Sequence, residues 1–489
     1  MGRSRAPDRT CTAAPLYSRK LGGRHLITND WGHYAFLSQE ELDRLRAGRL
    51  GPAESRFPEL VDKGFIRERM DFKGLAGDFR TLNRFLWQGP TLHIFVTTLR
   101  CNHACLYCQS SAGRVVGHET DMSLETAKAA VDMVFAGPNR NIAIEFQGGE
   151  PLLNWPVVRF VVQYARKRNE AEKRSLFLSV VTNLSLMDEG KLEFLLDNEV
   201  SICTSLDGPA PLHDRNRVFH GGSSQETAVR WIKEIERRRL SEPPPRRRIF
   251  KTSALMTTTR FSLPAWREIV DTYLDAGFGG IFLRPLSPIG YAKKVWGTIG
   301  YGAEEYLDFY RRALDYILEI NLRGRPFIER MAAVLAWKVL KRRDPNFVDC
   351  RSPCGASIGQ VAYNFDGDIY TCDEGRMVAQ QGDPIFRIGN VLRDSYDEIM
   401  ASPATKGCCM ASVLDSQPAC SRCVYKPYCG LCPVYNYEAQ GSLMGQLPRN
   451  MHCRVLKGVF DILFEKLDDR AAAEVIEGWL DSSRREVVK

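Results

Sequence analysis

Between residues 91 and 322 the sequence alternates short apolar segments with longer amphipathic ones. The apolar segments are rich in β-branched and aromatic residues, as expected of strands buried on both faces of a parallel sheet. Six such segments occur, at residues 92–98, 142–147, 176–182, 200–205, 250–257 and 281–285. Repeated strand–helix units predict an α/β fold of the barrel type. Six units are too few to close an eight-stranded barrel, so we expect a wide mouth that suits a large substrate such as a peptide.

Two of the amphipathic segments have recognisable helix starts. Ser123 precedes an apolar-periodic run at 124–135, and Ser262 precedes a second run that ends at Gly277, with Pro264 in its first turn. Serine is a favoured N-cap because its hydroxyl accepts a hydrogen bond from a backbone N–H of the first turn, where proline is also tolerated. We therefore expect helices to begin directly after Ser123 and Ser262.

Three cysteines, Cys101, Cys105 and Cys108, follow the first candidate strand with the spacing C-x3-C-x2-C, and Tyr107 lies between the last two. A structural zinc site fills all four positions with protein ligands. Three thiolates offered to a four-iron cluster instead leave one iron without a protein ligand, so that it can bind a small molecule. The spacing therefore favours a catalytic cluster, with a zinc knuckle or unrelated thiols as the alternatives.

The loops after the second and fourth candidate strands carry further polar and glycine residues. These are Gln147, Gly148, Gly149 and Glu150 after the second strand, and Ser205 and Asp207 after the fourth. Because loops at the C-terminal ends of barrel strands share one rim, we expect both loops to face the cysteine loop. Adjacent glycines let a ligand approach the backbone closely, and a Glu carboxylate can accept from an ammonium group. The alternatives are a tight turn for the glycines, a helix cap for Ser205 and a turn for Asp207.

The C-terminal part of the chain is rich in clustered cysteines. They include Cys350, Cys354, Cys372, Cys420, Cys423, Cys429, Cys432 and Cys453, among fifteen cysteines in the whole chain. Disulfides are rare in a reducing compartment, so ligation of metal ions or clusters is the better interpretation. A pair of zinc sites is the alternative to iron–sulfur clusters. Strand-like runs at 360–365 and 368–372, joined by Asp366-Gly367, predict a β-hairpin within this part.

Composition and charge exclude several other functions. No stretch reaches about eighteen consecutive apolar residues, so no membrane span is expected. The N-terminus lacks the apolar segment of a secretory signal, so we expect a cytoplasmic protein. The densest basic run, PPPRRR at 243–248, is interpreted as an exposed connector in a chain whose net charge is only +8. Nucleic-acid binding would need a basic face interleaved with aromatic residues, which the sequence does not show.

The spacing of the three cysteines, with Tyr107 between the last two, resembles the radical S-adenosylmethionine (radical SAM) superfamily. The resemblance implies a partial (β/α)6 radical SAM barrel in which Cys101, Cys105 and Cys108 hold a [4Fe-4S] cluster. One electron from the reduced cluster would cleave bound S-adenosylmethionine. The resulting 5′-deoxyadenosyl radical would then remove a hydrogen atom from the substrate.

The same resemblance implies which residues contact S-adenosylmethionine. By position these are Tyr107, Gln147, Gly148, Gly149, Glu150, Ser205 and Asp207. The loop around Glu150 would hold the methionyl amino group, while Ser205 and Asp207 would contact the carboxylate and the ribose. Thr182 and Asn183, at the end of the third strand, resemble the superfamily's TN pair.

The C-terminal cysteines resemble the SPASM extension of peptide-modifying radical SAM enzymes, which holds two auxiliary [4Fe-4S] clusters. By position, the first cluster would take Cys350, Cys354, Cys372 and Cys432, and the second Cys420, Cys423, Cys429 and Cys453. Eight thiolates leave no open iron, so these clusters would carry electrons. Cys350 precedes Cys354 by only four residues and the gap from Cys429 to Cys432 is one residue short, which leaves the partition open.

Three further cysteines and one carboxylate lie outside these two predicted ligand sets. Cys203 is interpreted as a small core residue within a strand. Cys408 and Cys409 adjoin a loop and are candidate spare ligands, which we assign to neither cluster. Asp373 occupies the place where sulfatase-maturating relatives have a catalytic base, with a solvated carboxylate at a hairpin end as the alternative.

Length allows about three domains, which we place at 1–90, 91–325 and 326–489. The first has strand-like runs at 24–30 and 33–38 and two short helical runs. It resembles the winged-helix peptide-recognition module of many peptide-modifying enzymes, with a structural cap over the barrel as the alternative. The second is the barrel, and the third is the SPASM-type region with two C-terminal helices.

Several longer segments resemble the His-Xaa-Ser system radical SAM maturases. They are NDWGHYAFLS, FLWQGPTLHIFVTTLRCNHACLYCQ, IEFQGGEPLLN, TSLDGPAPLHDRNR, SALMTTTR, FLRPLSPIGYA and YTCDEGRM. The resemblance implies a maturase that modifies a small ribosomally made precursor with His-Xaa-Ser repeats. Its partners would be an electron donor such as flavodoxin or ferredoxin and a second radical SAM maturase of the same system. The alternatives are an anaerobic sulfatase-maturating enzyme that forms formylglycine, and a non-catalytic zinc-binding scaffold.

Overall fold

The computed structural model describes residues 11–110, 112, 117–241, 252–345 and 347–480. The basic connector predicted at 243–248 and the first residues of the fifth candidate strand lie outside the described residues. Within the described ranges, no helix is both long enough and apolar enough to cross a membrane.

Residues 17–82 form a module that precedes the barrel. Its elements are β1 Tyr17–Leu21, β2 Arg24–Thr28, β3 Tyr34–Leu37, α1 Gln39–Arg46, α2 Phe57–Asp62 and α3 Phe72–Leu82. The strands form an antiparallel meander in the order β1-β2-β3. Strand β1 and helix α3 were not predicted. Strand β1 is mostly polar, whereas α3 carries Phe72, Leu75, Phe79 and Leu82 at helical spacing, which was an available signal.

The module packs against the cysteine-rich C-terminal part through polar contacts. Arg19 forms an ion pair with Asp461 at 2.6 Å. The hydroxyl of Thr28 donates to the Val424 carbonyl at 2.6 Å, and the Tyr428 hydroxyl donates to the Gly32 carbonyl at 3.1 Å. The module is therefore held against the segment that carries Cys423 and Cys429.

The barrel segment follows with alternating strands and helices, as predicted. Its elements are β4 Leu92–Val96, β5 His103–Cys105, α4 Leu124–Ala136, β6 Asn141–Gln147, α5 Trp155–Glu172, β7 Ser175–Val181, α6 Glu189–Asp197, β8 Val200–Ser205, α7 Ala210–Asn216, β9 Arg217–Phe219, α8 Ser224–Ser241, β10 Ser253–Leu255, α9 Trp266–Asp275, β11 Gly280–Ile281, α10 Tyr291–Lys294, α11 Trp296–Ile299 and α12 Ala303–Leu322. Strands β4, β6, β7, β8 and β10 are parallel and adjacent, in the sheet order β10-β8-β7-β6-β4. All of their carboxyl ends therefore lie at one edge, where the predicted loops meet.

The cysteine-rich part continues this sheet. Its elements are β12 Ile328–Glu329, α13 Arg330–Lys341, β13 Gln360–Tyr363, β14 Asp368–Tyr370, α14 Asp373–Ala379, β15 Arg387–Asn390, α15 Tyr396–Met400, α16 Pro403–Ser412, α17 Pro433–Gln440, α18 Met451–Asp468 and α19 Arg470–Gly478. Strand β13 pairs in parallel with β4, and β14 and β15 extend the sheet in antiparallel fashion. The predicted hairpin is present, with Gly367 at φ +85° in its turn.

Two local predictions differ from the structure. The sixth candidate strand shrinks to β11, which pairs with β12 instead of β10. The predicted segment ends at Pro285, which has no N–H to donate to a sheet. The helix expected after Ser262 begins later, at Trp266, because a 3-10 turn at 260–265 contains Pro264 and is capped by Thr259. The helix start after Ser123 is confirmed, with its hydroxyl accepting from Thr126 N at 3.0 Å.

Candidate active site

The three-cysteine loop is held in place by a short sheet of its own. Strand β5, which ends at Cys105, pairs antiparallel with β9, and Cys105 lies opposite Arg217. Next to this pair, Leu106 N donates to the Asn216 carbonyl at 2.8 Å. Backbone hydrogen bonds therefore fix the loop before any ligand binds.

The three thiols of this loop are free and partly accessible. Burial raises the pKa of Cys101 to about 12 and that of Cys105 to about 11. Charge on Cys105 or Cys108 would raise the pKa of Cys101 further, so the three side chains share one site. Three soft donors in one partly buried loop fit an iron–sulfur cluster, whose positive iron ions would stabilise the thiolates.

The glycines after β6 are required by the cysteine loop. A Cβ on Gly148, which has φ +145°, would lie 2.2 Å from the Thr98 carbonyl oxygen, and one on Gly149 would lie 2.1 Å from that of Arg100. Gly149 N donates to Thr98 O, and Glu150 N donates to Arg100 O, both at 2.8 Å. A ligand was predicted to approach these two glycines closely. In this structure the protein's own backbone makes that close approach.

Glu150 is a buried carboxylate whose donors are neutral. It accepts from the Thr182 hydroxyl at 2.7 Å, Asn183 N at 2.8 Å and Leu152 N at 3.1 Å. Burial raises its pKa to about 7. An ammonium group bound nearby would supply the missing positive charge, so the site fits the methionyl amino group of S-adenosylmethionine. The neighbouring Gln147 donates to Glu145 at 2.6 Å.

Asp207 forms a buried triad with two residues of the cysteine loop region. It is fully buried and accepts from the Tyr107 hydroxyl at 2.5 Å, Arg217 Nε at 3.2 Å and Thr257 N at 3.1 Å. The Arg217 guanidinium lies 5.1 Å from the centre of the Tyr107 ring. Both Asp207 oxygens face protein donors, and its contact with S-adenosylmethionine stays a prediction. The same holds for the Tyr107 hydroxyl, whereas Ser205 lies half-buried at the end of β8.

Asp373 lies next to the cysteine loop. Its carboxylate is mostly buried and accepts from Arg376 Nε at 2.8 Å, so the alternative of a solvated carboxylate is wrong. Arg376 is fully buried and also donates to the Ser110 hydroxyl at 3.0 Å. Its remaining nitrogen, Nη1, has no hydrogen-bond partner among the described residues. Charge on Asp373 raises the pKa of buried Glu145, which places Glu145 in the same region.

Sequence reasoning missed Arg217, Arg376 and Glu145. Arg217 begins β9 and Arg376 lies within α14, and their spacing to the cysteines carries no motif. Glu145 is a charged residue within an apolar strand, which was an available signal. Cys203, interpreted as a core residue, also faces this region, because charge on Glu145 and a contact with Ser253 affect its pKa.

The C-terminal cysteines fall into two groups. Cys354 and Cys372 belong to one buried group, with Cys432 packed against it. Cys420, Cys429 and Cys453 pack around Leu414, Leu431 and Leu447 in the second, and charge on Cys423 raises the pKa of Cys429. Both groups offer only thiol donors, which fit iron–sulfur clusters, and the partition of the cysteines between two clusters stays a prediction.

Cys350, expected with Cys354, packs in the apolar cluster that Cys423 and Cys429 contact. Its Cα lies 2.8 Å from the position that a Cβ on Gly430 would take, directly beside Cys429. Its charge is the foremost of those that raise the pKa of Cys429. Across the described ranges, no three His, Cys, Asp or Glu side chains converge closely enough to chelate a single metal ion.

The chain is similar to known proteins in both sequence and fold. Residues 95–242 match the Radical SAM superfamily. A cysteine-type anaerobic sulfatase-maturating enzyme of Clostridium perfringens is 23% identical over 376 residues, which cover 75% of this chain and 94% of the relative. The solved structure of anSMEcpe with bound AdoMet matches with a TM-score of 0.65 at 20% identity, over 79% of this chain and 100% of that one.

A second structural neighbour contains a bound peptide. Streptococcus suis SuiB bound to precursor peptide SuiA matches with a TM-score of 0.51 at 15% identity, over 89% of this chain and 98% of that one. The predicted α/β fold with a large parallel sheet is confirmed by these likenesses.

Proposed function

We propose that this chain, a radical SAM enzyme by the match over residues 95–242, modifies a peptide or small protein precursor after its synthesis. The observation that carries the proposal is the shared rim, where three free thiols lie beside the buried Glu150 carboxylate, which has no cationic partner among the described residues. The peptide substrate is supported by the neighbours solved with peptides, anSMEcpe with the Cp18Cys peptide and SuiB with SuiA.

In the proposed mechanism the residues of the rim bind and orient the cofactors. Cys101, Cys105 and Cys108 hold a [4Fe-4S] cluster, and Glu150 accepts from the ammonium group of S-adenosylmethionine, with Ser205 near its other end. When bound, the two cofactors supply a 5′-deoxyadenosyl radical that removes a hydrogen atom from the substrate.

Asp373 is proposed to accept the proton that the substrate loses as it is oxidised. Its ion pair with Arg376 fixes the carboxylate, and Arg376 is in turn fixed to Ser110 in the cysteine loop. Base and cluster are therefore positioned by one hydrogen-bonded chain. The auxiliary cysteines are proposed to hold two further [4Fe-4S] clusters that take the electron away.

The finer substrate assignment comes from the sequence resemblance. It names a precursor with His-Xaa-Ser repeats, a second radical SAM maturase and a flavodoxin or ferredoxin as electron donor. The N-terminal module, an antiparallel meander followed by helices, is proposed to recognise the precursor as a winged-helix-like unit. Oxygen-sensitive clusters favour a reducing, cytoplasmic setting.

A second candidate function is sulfatase maturation. It is favoured by the position of Asp373 directly after Cys372 and by the 94% coverage of the sulfatase-maturating relative. Incubation with a sulfatase-type peptide and, separately, with a His-Xaa-Ser repeat peptide decides between the two. Mass loss on only one of them identifies the substrate class.

The proposed function is tested by metal analysis and cofactor cleavage. Anaerobically reconstituted protein should hold about twelve irons per chain, as three four-iron clusters require. It should also form 5′-deoxyadenosine on reduction with S-adenosylmethionine. The Cys101→Ala/Cys105→Ala/Cys108→Ala variant should lose that product, whereas the control Cys11→Ala should keep it. Zinc with little iron would refute the proposal in favour of a zinc-binding scaffold.

A further inference from the structure

Three cysteines of the first auxiliary group come from three different segments. Cys354 precedes β13, Cys372 follows β14, and Cys432 precedes α17. Gly375 N donates to the Cys372 sulfur and Tyr435 N donates to the Cys432 sulfur, each at 3.3 Å. Backbone N–H donors favour the thiolate form, which is the form that ligates iron. These three residues thus supply a partial ligand set for a four-iron cluster.

The predicted fourth ligand, Cys350, belongs to a different apolar cluster, and Cys423 and Cys429 of the second group pack against that cluster. Its Cα also lies close to Gly430, the residue directly after Cys429. Its carbonyl oxygen accepts from the buried Lys338 ammonium group. The packing partners of Cys350 are therefore cysteines of the second group.

Another thiol, Cys408, lies in the first group. It is 1% exposed, on helix α16, and belongs to the same buried group as Cys354 and Cys372, against which Cys432 packs. The next residue, Cys409, is half-buried and is not part of that group. Helix α16 therefore turns one of its two adjacent thiols toward the predicted ligands.

Hydrogen bonds connect the turn of α16 that carries Cys408 to both neighbouring ligand segments. The Ser412 hydroxyl accepts from Cys354 N at 2.9 Å and donates to the Cys408 carbonyl at 2.6 Å. On the other side, the Cys408 thiol contacts the hydroxyl of Thr371, the residue before Cys372. The position of Cys408 is thus set relative to two of the three thiols.

We propose that Cys408, and not Cys350, is the fourth ligand of the first auxiliary cluster. Four thiols from four segments then surround one buried site, and thiolate is the usual ligand of such clusters. Cys350 is left beside the second group, which already has four cysteines. The inference rests on the proposed function, because it presupposes that auxiliary clusters are bound.

The test compares single variants of full-length protein after anaerobic reconstitution. Cys408→Ala should lose about four irons per chain, or about one if a three-iron cluster survives, which electron paramagnetic resonance would detect. Cys409→Ala, the matched control on the same helix, and Cys350→Ala should both keep about twelve irons. Loss of iron from Cys350→Ala with full iron in Cys408→Ala would overturn the inference.

A second variant guards against a folding defect. Cys408→Ser keeps the size of the side chain and offers iron an oxygen in place of sulfur, so the Mössbauer spectrum of one cluster should change while circular dichroism stays the same. An unchanged spectrum would count against ligation by Cys408. If the wild-type protein binds no iron, the proposed function itself fails, whereas iron loss from Cys350→Ala alone defeats only this inference.

Discussion

The buried triad beneath the cysteine loop allows a quantitative prediction for Asp207→Asn. The change keeps the size of the side chain but removes the charge that faces Arg217, whose side chain is 11% exposed while that of Asp207 is 0% exposed. Breaking a buried ion pair on one side costs about 3–5 kcal/mol, because the remaining charge loses its partner. We expect this loss to appear first in the loop that the triad supports, since Tyr107 belongs to that loop.

Hydrogen–deuterium exchange followed by mass spectrometry measures this effect locally. In Asp207→Asn, amides of peptides covering 101–110 and 205–219 should exchange about 10²- to 4 × 10³-fold faster, which corresponds to the lost free energy at about 1.4 kcal/mol per tenfold. Iron retained at the three-cysteine site should fall in parallel.

The matched control is a carboxylate-to-amide change in an exposed ion pair. Glu465 pairs with Arg311 at 2.6 Å, and the two side chains are 38% and 41% exposed. Such pairs contribute about 0–1 kcal/mol, so Glu465→Gln should leave exchange in the cysteine loop unchanged. Equal protection in Asp207→Asn and wild type, or an equal loss in both variants, would refute the argument that Asp207 supports the loop.

Three other variants test the rim. Gly149→Ala should lower iron binding at the three-cysteine site, because its Cβ would lie 2.1 Å from the Arg100 carbonyl; Gly190→Ala, where only Asp188 lies nearby at 3.7 Å, should bind iron normally. Burial raises the pKa of Glu150 to about 7, so the anionic fraction of Glu150 decreases as pH falls below 7. Only this anionic form would accept from the ammonium group as a charged partner. Binding of S-adenosylmethionine, followed by the cluster's paramagnetic resonance, should therefore weaken from pH 8 to pH 6, and Glu150→Gln should bind weakly at both; pH-independent binding by the wild type would contradict this. Asp373→Asn should still form 5′-deoxyadenosine but lose about 10²-fold or more of the peptide product; full product formation would exclude Asp373 as the base.

The rim was predictable because it depends on strand direction. Parallel strands place their carboxyl ends at one edge, so a motif after β4 and a motif after β6 must meet there. The pairing of Thr182 and Asn183 with Glu150 follows from the same rule, since they end the neighbouring strand β7. Which segments form strands, and which loops follow them, are local properties that a sequence pattern can predict.

Partners in a buried network are not local properties. Asp207 receives donors from residues 50 and 100 positions away, and nothing in its loop shows that both oxygens are taken up inside the protein. The proposed choice of Cys408 over Cys350 likewise depends on how α16 packs, whereas the family resemblance assigns Cys350 by position. Such choices are decided by tertiary contacts between segments with no sequence motif in common.

The pairing of β13 with β4 has a consequence for catalysis. It joins the hairpin that carries Cys372 and Asp373 to the strand that leads into the cysteine loop, so the proposed base and the proposed cluster belong to one sheet. Arg376 completes the connection by contacting both Asp373 and Ser110. It acts through these residues, and its role is therefore one of positioning.

Arg376→Gln should accordingly uncouple the two halves of the reaction. The glutamine is too short to reach both partners, so Asp373 loses its fixed orientation while the three thiols remain. We expect 5′-deoxyadenosine to form at a near-normal rate with several-fold less modified peptide, measured as the ratio of the two by mass spectrometry. Arg387→Gln, which removes a more exposed ion pair with Asp368, is the control and should keep the ratio. A parallel fall of both products in Arg376→Gln would instead show that Arg376 supports cofactor cleavage itself, because only positioning of the base predicts that the ratio changes.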